Sequence, residues 1–111
     1  MLIRSDEAVP GNPKEWETVT HKIWEDDTKK RWRIRIIIAN PVPFKFFIGY
    51  DIKIPSGGIY LVPGQEKGYA NNERHAMLYA LGRIQANLDL TQKQEHAVKE
   101  EIFKQRQLSL F

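Results

Sequence analysis

The sequence contains no cysteine, and this absence excludes several classes of functional site. Disulfide bonds, thiolate catalysis and cysteine-ligated zinc or iron–sulfur centres all require a thiol that the chain lacks. The histidines, His21, His75 and His96, do not have the spacing of metal ligands. We therefore predict no metal site and no cofactor, and the composition fits a reducing compartment.

Long apolar segments are also missing. A membrane-spanning helix needs about 18–20 consecutive apolar residues, and no run in the chain approaches that length. The first residues include Asp6 and Glu7 and lack the apolar segment of a signal peptide. We predict a cytoplasmic protein with no membrane partner. Because 41% of the residues are hydrophobic and 28% are charged, the chain has the composition of a folded domain.

No group of residues has a pattern typical of catalysis. The acidic pairs Asp26-Asp27 and Glu100-Glu101 fall in a predicted turn and on a solvated helix, where adjacent residues do not share a face. The glycine-rich stretches are not followed by the Lys-Ser/Thr of a phosphate-binding loop. We therefore predict no catalytic residues and a protein that is not an enzyme.

The first half of the chain has the pattern of β-strands. Apolar and polar residues alternate at 31–38 and 44–54, and weaker strand signals lie at 16–24 and 59–62. The segment Asn40-Pro41-Val42-Pro43 is expected to end the second strand, since proline cannot donate to a ladder.

The second half of the chain has helical spacing. The apolar stripe of a first helix comprises Met77, Leu78, Leu81, Ile84 and Leu88. Gly82 within this helix suggests close packing on the sheet. Thr91 with Gln94 makes a capping box for a second helix, roughly Gln92 to Arg106. Asn71 or Asn72 is expected to cap the first.

This order predicts an α+β fold, a four-stranded antiparallel sheet followed by two helices (ββββαα) in a single small domain. We expect residues 1–14 to be a mobile N-terminal arm, residues 15–106 to be the domain, and residues 107–111 to be a C-terminal linear motif. The first helix should cover the apolar face of the second and third strands. The second helix has few apolar residues, so it packs by a narrow stripe or projects from the body.

Basic charge is concentrated between residues 28 and 53, which carry seven bases and one acid. Alternate residues of a strand project together, so a row of arginines can follow a phosphate backbone, and Phe47 can stack on a base. The alternative is a solvated face on which Glu15, Glu17 and Glu25 neutralise the arginines. The predicted nucleic-acid-binding residues are Arg31, Arg33, Arg35, Lys45 and Lys53.

The sequence ends in Gln107-Leu108-Ser109-Leu110-Phe111, a short apolar segment after a charged helix. It matches at all five positions, and thus resembles, the bacterial sliding-clamp-binding motif Gln-Leu-(Ser/Asp)-Leu-Phe of polymerases and repair proteins. The resemblance implies that Gln107 reaches a polar subsite of the clamp while Leu110 and Phe111 fill an apolar pocket. Gln105, Leu108 and Phe111 also fit the Gln-x-x-Leu-x-x-Phe box that binds archaeal and eukaryotic clamps. That box normally ends in two aromatic residues, so the bacterial motif is preferred.

Two functional hypotheses follow from these features. In the first, the chain is a non-enzymatic accessory of DNA replication or repair, from a phage or plasmid. It binds the bacterial DNA polymerase sliding clamp through Gln107–Phe111 and contacts DNA with its basic sheet face. In the alternative, it is a small regulatory domain, an antitoxin-like homodimer. Strand edges and the second helix then form the interface, and the C-terminal tail folds back on the body.

Overall fold

The computed structural model describes residue 2 and residues 9–26, 31–66 and 68–108, with only the backbone at position 108. It confirms the ββββαα order and the α+β class. A 3₁₀ turn, Pro13–Glu15, precedes the sheet. The elements are β1 (Thr18–Glu25), β2 (Arg33–Val42), β3 (Lys45–Ile54), β4 (Gly57–Leu61), α1 (Glu73–Asn87) and α2 (Gln92–Leu108).

The sheet is an antiparallel meander in the order β1-β2-β3-β4, so β1 and β4 are its edges. Ile36 of β2 lies opposite Tyr50 of β3, with isoleucine pairs on either side of it in the ladder. Since alternate residues of a strand share a face, this register places the large apolar side chains of both strands on one side. The two central strands therefore supply most of the side chains that the sheet contributes to the core.

Both helices contribute to the core on this apolar face of the sheet. Met77, Leu81 and Ile84 of the predicted α1 stripe are buried, whereas Leu78 is half-buried and Leu88 follows the helix. The second helix contributes chiefly Val98, with Ile102 half-buried beside it. Phe103 of α2 remains 64% exposed. The second helix thus packs by a narrow stripe. The largest fully buried side chains are Ile34, Ile36, Met77, Leu81, Ile84, Gln94 and Val98.

Both predicted helix caps form. The Asn72 side chain accepts a hydrogen bond from the His75 backbone N–H at 2.8 Å. At the start of α2, the Thr91 backbone N–H donates to the Gln94 side chain at 2.8 Å, and the Gln94 N–H donates to the Thr91 hydroxyl at 3.3 Å. Each cap satisfies backbone donors that have no partner within the helix.

The structure corrects two of the sequence predictions. β2 does not stop at Asn40 but runs through Pro41 to Val42, with a shift of register against β3 between Ala39 and Val42. Proline is tolerated there because a bulge interrupts the ladder. The close packing expected at Gly82 is also wrong: this residue is exposed, and a Cβ there would contact nothing within 4 Å.

Within the described parts of the chain, neither helix has the length and hydrophobicity needed to cross a lipid bilayer. The same residues hold no cluster of three or more histidine, aspartate and glutamate side chains placed to bind a metal ion.

Candidate functional site

The sheet face opposite the core carries most of the predicted nucleic-acid-binding residues, and we call it the charged face. The register places Arg33 of β2 opposite Lys53 of β3, and Arg35 opposite Asp51. On the other side, β1 places Glu25 opposite Arg33 and Lys22 opposite Arg35. The charged face therefore comprises Lys22, Glu25, Arg33, Arg35, Asp51 and Lys53.

Arg33 is held by Asp51. Its Nε donates to both carboxylate oxygens of Asp51, each at 3.0 Å. Its Nη1 donates to the carbonyl oxygen of Arg31 at 3.2 Å. Hydrogen bonding to Asp51 raises the pKa of Arg33 above its ordinary value. The Nε–H and one Nη1–H of this guanidinium are thus engaged within the protein, and Asp51 offsets its charge.

Arg35 is held mainly by Glu25. Its Nε donates to Glu25 Oε1 at 2.6 Å, and its Nη1 lies 3.6 Å from Asp51 Oδ2. Lys22 Nζ lies 3.4 Å from the other Glu25 oxygen. The hydrogen bond from Arg35 lowers the pKa of Glu25. Because a lowered carboxyl pKa means that the charged form is favoured, this pair persists at neutral pH and is lost only as the pH falls through the lowered value.

The ion pairs of Arg33 and Arg35 agree in part with the alternative prediction, in which acidic residues of the first strand neutralise the arginines. Glu25 neutralises an arginine across the ladder, but Glu15 and Glu17 form no ion pair with the described residues. Glu15 lies in the 3₁₀ turn and Glu17 precedes β1, so neither is in the ladder. The second acid is Asp51, which the sequence reasoning did not assign. The alternation of side chains along β3 places Asp51 on the same face as the lysines, and this pattern could have identified it.

Arg31 and Lys53 differ from the other basic residues of this region. Both side chains are exposed, and neither forms an ion pair with a described residue. Arg31 lies before β2 with a backbone φ of 52°, so it does not continue the strand row of Arg33 and Arg35. It lines a shallow cavity of about 340 Å³ together with Trp32, Asp26 and the Glu25–Arg35 pair.

Lys45 and Phe47 lie away from this cluster. Lys45 and Lys53 are eight positions apart on β3, a separation of roughly 27 Å at about 3.4 Å per residue. Lys45 Nζ lies 5.0 Å from the centre of the Tyr69 ring. Phe47 is buried between Trp16 and Tyr69, with ring centres 4.9 and 5.9 Å away, so its ring is not presented to a base.

The predicted clamp-binding segment begins inside α2. The helix ends at Leu108, two residues beyond the predicted end, so Gln107 and Leu108 have helical backbone. The Gln107 side chain is exposed. Ser109, Leu110 and Phe111 lie outside the described residues.

Comparison of the chain with protein families, curated proteins and solved structures finds no match.

Proposed function

We propose that this chain is a non-enzymatic accessory protein of bacterial DNA replication or repair. It acts in the cytoplasm and binds the DNA polymerase sliding clamp through Gln107–Phe111. The observation that carries this proposal is the match of the last five residues to the clamp-binding motif at every position. The position of the segment supports it. It begins in the last turn of α2, where the side chains of Lys104, Arg106 and Gln107 are exposed.

The transition from helix to motif is physically compatible with peptide binding. The last four carbonyl groups of a helix accept no hydrogen bond from a backbone N–H of the helix, and helix ends open at little cost in free energy. Gln107 and Leu108 can therefore leave the helix when a pocket receives them. Burial of two leucines and a phenylalanine supplies about 1.5–3 kcal/mol each before the cost of ordering. The expected affinity of the segment alone is micromolar.

Replacing Phe111 by alanine is expected to weaken binding to purified bacterial sliding clamp by about 10–100-fold, and removal of residues 107–111 should abolish it. The physical reason is the loss of the largest apolar group of the segment. Calorimetry or surface plasmon resonance measures both effects. A synthetic Gln-Leu-Ser-Leu-Phe peptide should compete with the intact protein.

Phe103→Ala is the matched control, since Phe103 is also an exposed phenylalanine of the C-terminal helix. It should leave clamp binding within about twofold, because a nonspecific hydrophobic contact is not the source of affinity. Equal binding by the intact and truncated proteins would rule out the proposal. Unfolding or a changed oligomeric state on truncation would favour the tail folding back on the body.

A second contact to DNA completes the proposal. A clamp encircles DNA, so a weak DNA contact would add to the weak peptide contact through the raised effective concentration. Within the charged face and its surroundings, Arg31 and Lys53 are exposed without a described ion pair, and they support this role best. Arg33 and Arg35 would contribute less, because Asp51 and Glu25 offset their charges.

The double variant Arg31→Ala/Lys53→Ala should weaken binding to duplex DNA and flatten its salt dependence. Loss of two phosphate contacts lowers the slope of log affinity against log salt by about 1.8. Fluorescence anisotropy over a salt series measures this slope. Lys45→Ala is the control, and it should change the slope by less than about 0.5, because Lys45 lies far along β3. Equal effects of the two variants, or no DNA binding by the intact protein, would contradict the assignment.

A further inference from the structure

The outer edge of β4 is the less protected border of the sheet. β4 pairs with β3, and no other described strand pairs with it. In an antiparallel ladder, alternate residues of an edge strand direct their N–H and C=O groups away from the partner. Ile59 and Tyr60 are 42% and 72% exposed, and Gly57–Leu61 includes no charged residue and no proline. These are the properties of an edge that can accept another strand.

The opposite edge, β1, has the features that discourage pairing. Lys22 and Glu25 place charges along it, and a bulge at Ile23 interrupts its register between Lys22 and Trp24. Charged side chains and bulges are the usual means by which natural sheets block their edges. Part of α2 also packs against β1. The contrast between the two edges singles out β4.

A small apolar cavity lies next to the β4 edge. It has a volume of about 180 Å³ and lies between β4 and the C-terminal half of α1. Ile59 and Leu61 of the strand line it together with Ile84 of α1 and Leu88, the residue after this helix. The ion pair between Arg83 Nη1 and Glu66 Oε2, at 2.9 Å, lies at its border. An apolar side chain of a strand paired with β4 would contact the hydrophobic residues of this cavity beside Ile59.

We propose that two copies of this chain associate by pairing their β4 strands antiparallel about a twofold axis at Ile59. Such an isologous contact joins the two sheets into one continuous eight-stranded sheet. Residues equidistant from Ile59 then face each other. Gly58 lies opposite Tyr60 of the second copy, and Gly57 lies opposite Leu61 of the second copy.

The sequence of β4 is complementary to itself in this register. Gly58 is restricted to glycine, because a Cβ there would lie 2.7 Å from the carbonyl oxygen of Ile52. Because Gly58 carries no side chain, the exposed Tyr60 ring of the other copy can lie against the Gly58 backbone, as aromatic side chains do for glycines in sheets. On the core side, Leu61 meets the space beside Gly57. No charges of like sign face each other across the strands, because β4 has none.

The expected dimer is weak and reversible. Five residues per strand bury less than the roughly 1,200 Å² of a standard stable interface, so the dissociation constant should lie above about 1 µM. This surface is separate from the C-terminal segment, so the inference does not depend on clamp binding.

Sedimentation equilibrium of the full chain from about 1 µM to about 1 mM tests the inference. The mass should rise from the monomer value of 13.0 kDa toward twice that value. Tyr60→Lys and Ile59→Lys should each weaken association at least tenfold, because they place two like charges near the axis. Hydrogen exchange of the β4 amides should slow at high concentration, while that of the β1 amides should not.

Val19→Lys is the matched control on the β1 edge, where Val19 is 59% exposed, and it should leave the dissociation constant unchanged. Thermal melts establish that each variant folds. If Ile59→Lys fails to fold, Tyr60→Lys still gives the result, since that side chain is mostly exposed. A monomer at every concentration would overturn the inference, and so would association that Val19→Lys disrupts as strongly as the β4 variants do.

Discussion

Gly49→Ala is expected to unfold a large fraction of the protein. Gly49 is buried in the middle of β3, and a Cβ there would overlap the carbonyl oxygen of Leu61. The same atom would lie 2.6 Å from Cδ and 2.8 Å from N of Pro63. These are backbone and ring atoms, so the clash is relieved only if the chain after β4 moves off the sheet. We expect a loss of about 3 kcal/mol or more, a large part of the roughly 5–15 kcal/mol that stabilises a small domain.

Urea denaturation measures this loss, and Gly82→Ala provides the matched control. Gly82 lies on the exposed side of α1 with no atom near its missing Cβ. Alanine favours helix over glycine by about 1 kcal/mol, so this variant should be as stable as the natural chain or more stable. Similar denaturation midpoints for the two variants would contradict the close approach of Pro63 to β3.

Ile36→Ala is expected to cost about 2–5 kcal/mol. Ile36 is fully buried on the central strand β2, opposite Tyr50 and His21, and it faces the helices. Its replacement removes apolar contact and leaves a cavity that the sheet cannot close, since β2 is hydrogen-bonded on both sides. The change in the free energy of unfolding, measured in urea, tests this value.

Ile37→Ala is the control at the next position. Ile37 lies on the charged-face side of β2, opposite Gly49 and Thr20, and it is half-buried. Its truncation should cost about 1 kcal/mol, because less apolar area is removed from contact. A slip of one residue in the register exchanges the two faces of a strand. A larger cost at Ile37 than at Ile36 would therefore show that the register is wrong.

Much of the fold could be predicted because its signals are local. Alternation in 31–38 and 44–54 identifies the two central strands and the face that each side chain occupies. The Thr91–Gln94 capping box is visible as a pattern four residues long, and both of its hydrogen bonds form. Periodicity and capping act over short distances along the chain, and the structure follows them.

The partners on the charged face depend on information that alternation does not contain. The alternation of side chains along β3 predicts that Asp51 lies on the face opposite the core. Only the register between β2 and β3 determines that it meets Arg33 and Arg35. The exposure of Gly82 likewise depends on how α1 is rotated over the sheet. The clamp-binding hypothesis comes from sequence alone, and Gln107 with the Leu108 backbone is the part of its segment that the structure describes.

The ion pairs of the charged face have a consequence for any anion that approaches it. Asp51 accepts hydrogen bonds from Nε of Arg33, and Glu25 accepts one from Nε of Arg35, so each carboxylate competes with a phosphate for its arginine. An incoming phosphate gains only the difference between its own hydrogen bonds and those that it displaces. A single phosphate that binds one arginine therefore gains little free energy. A polyanion that is already held nearby can replace both carboxylates at once, with one phosphate at each arginine.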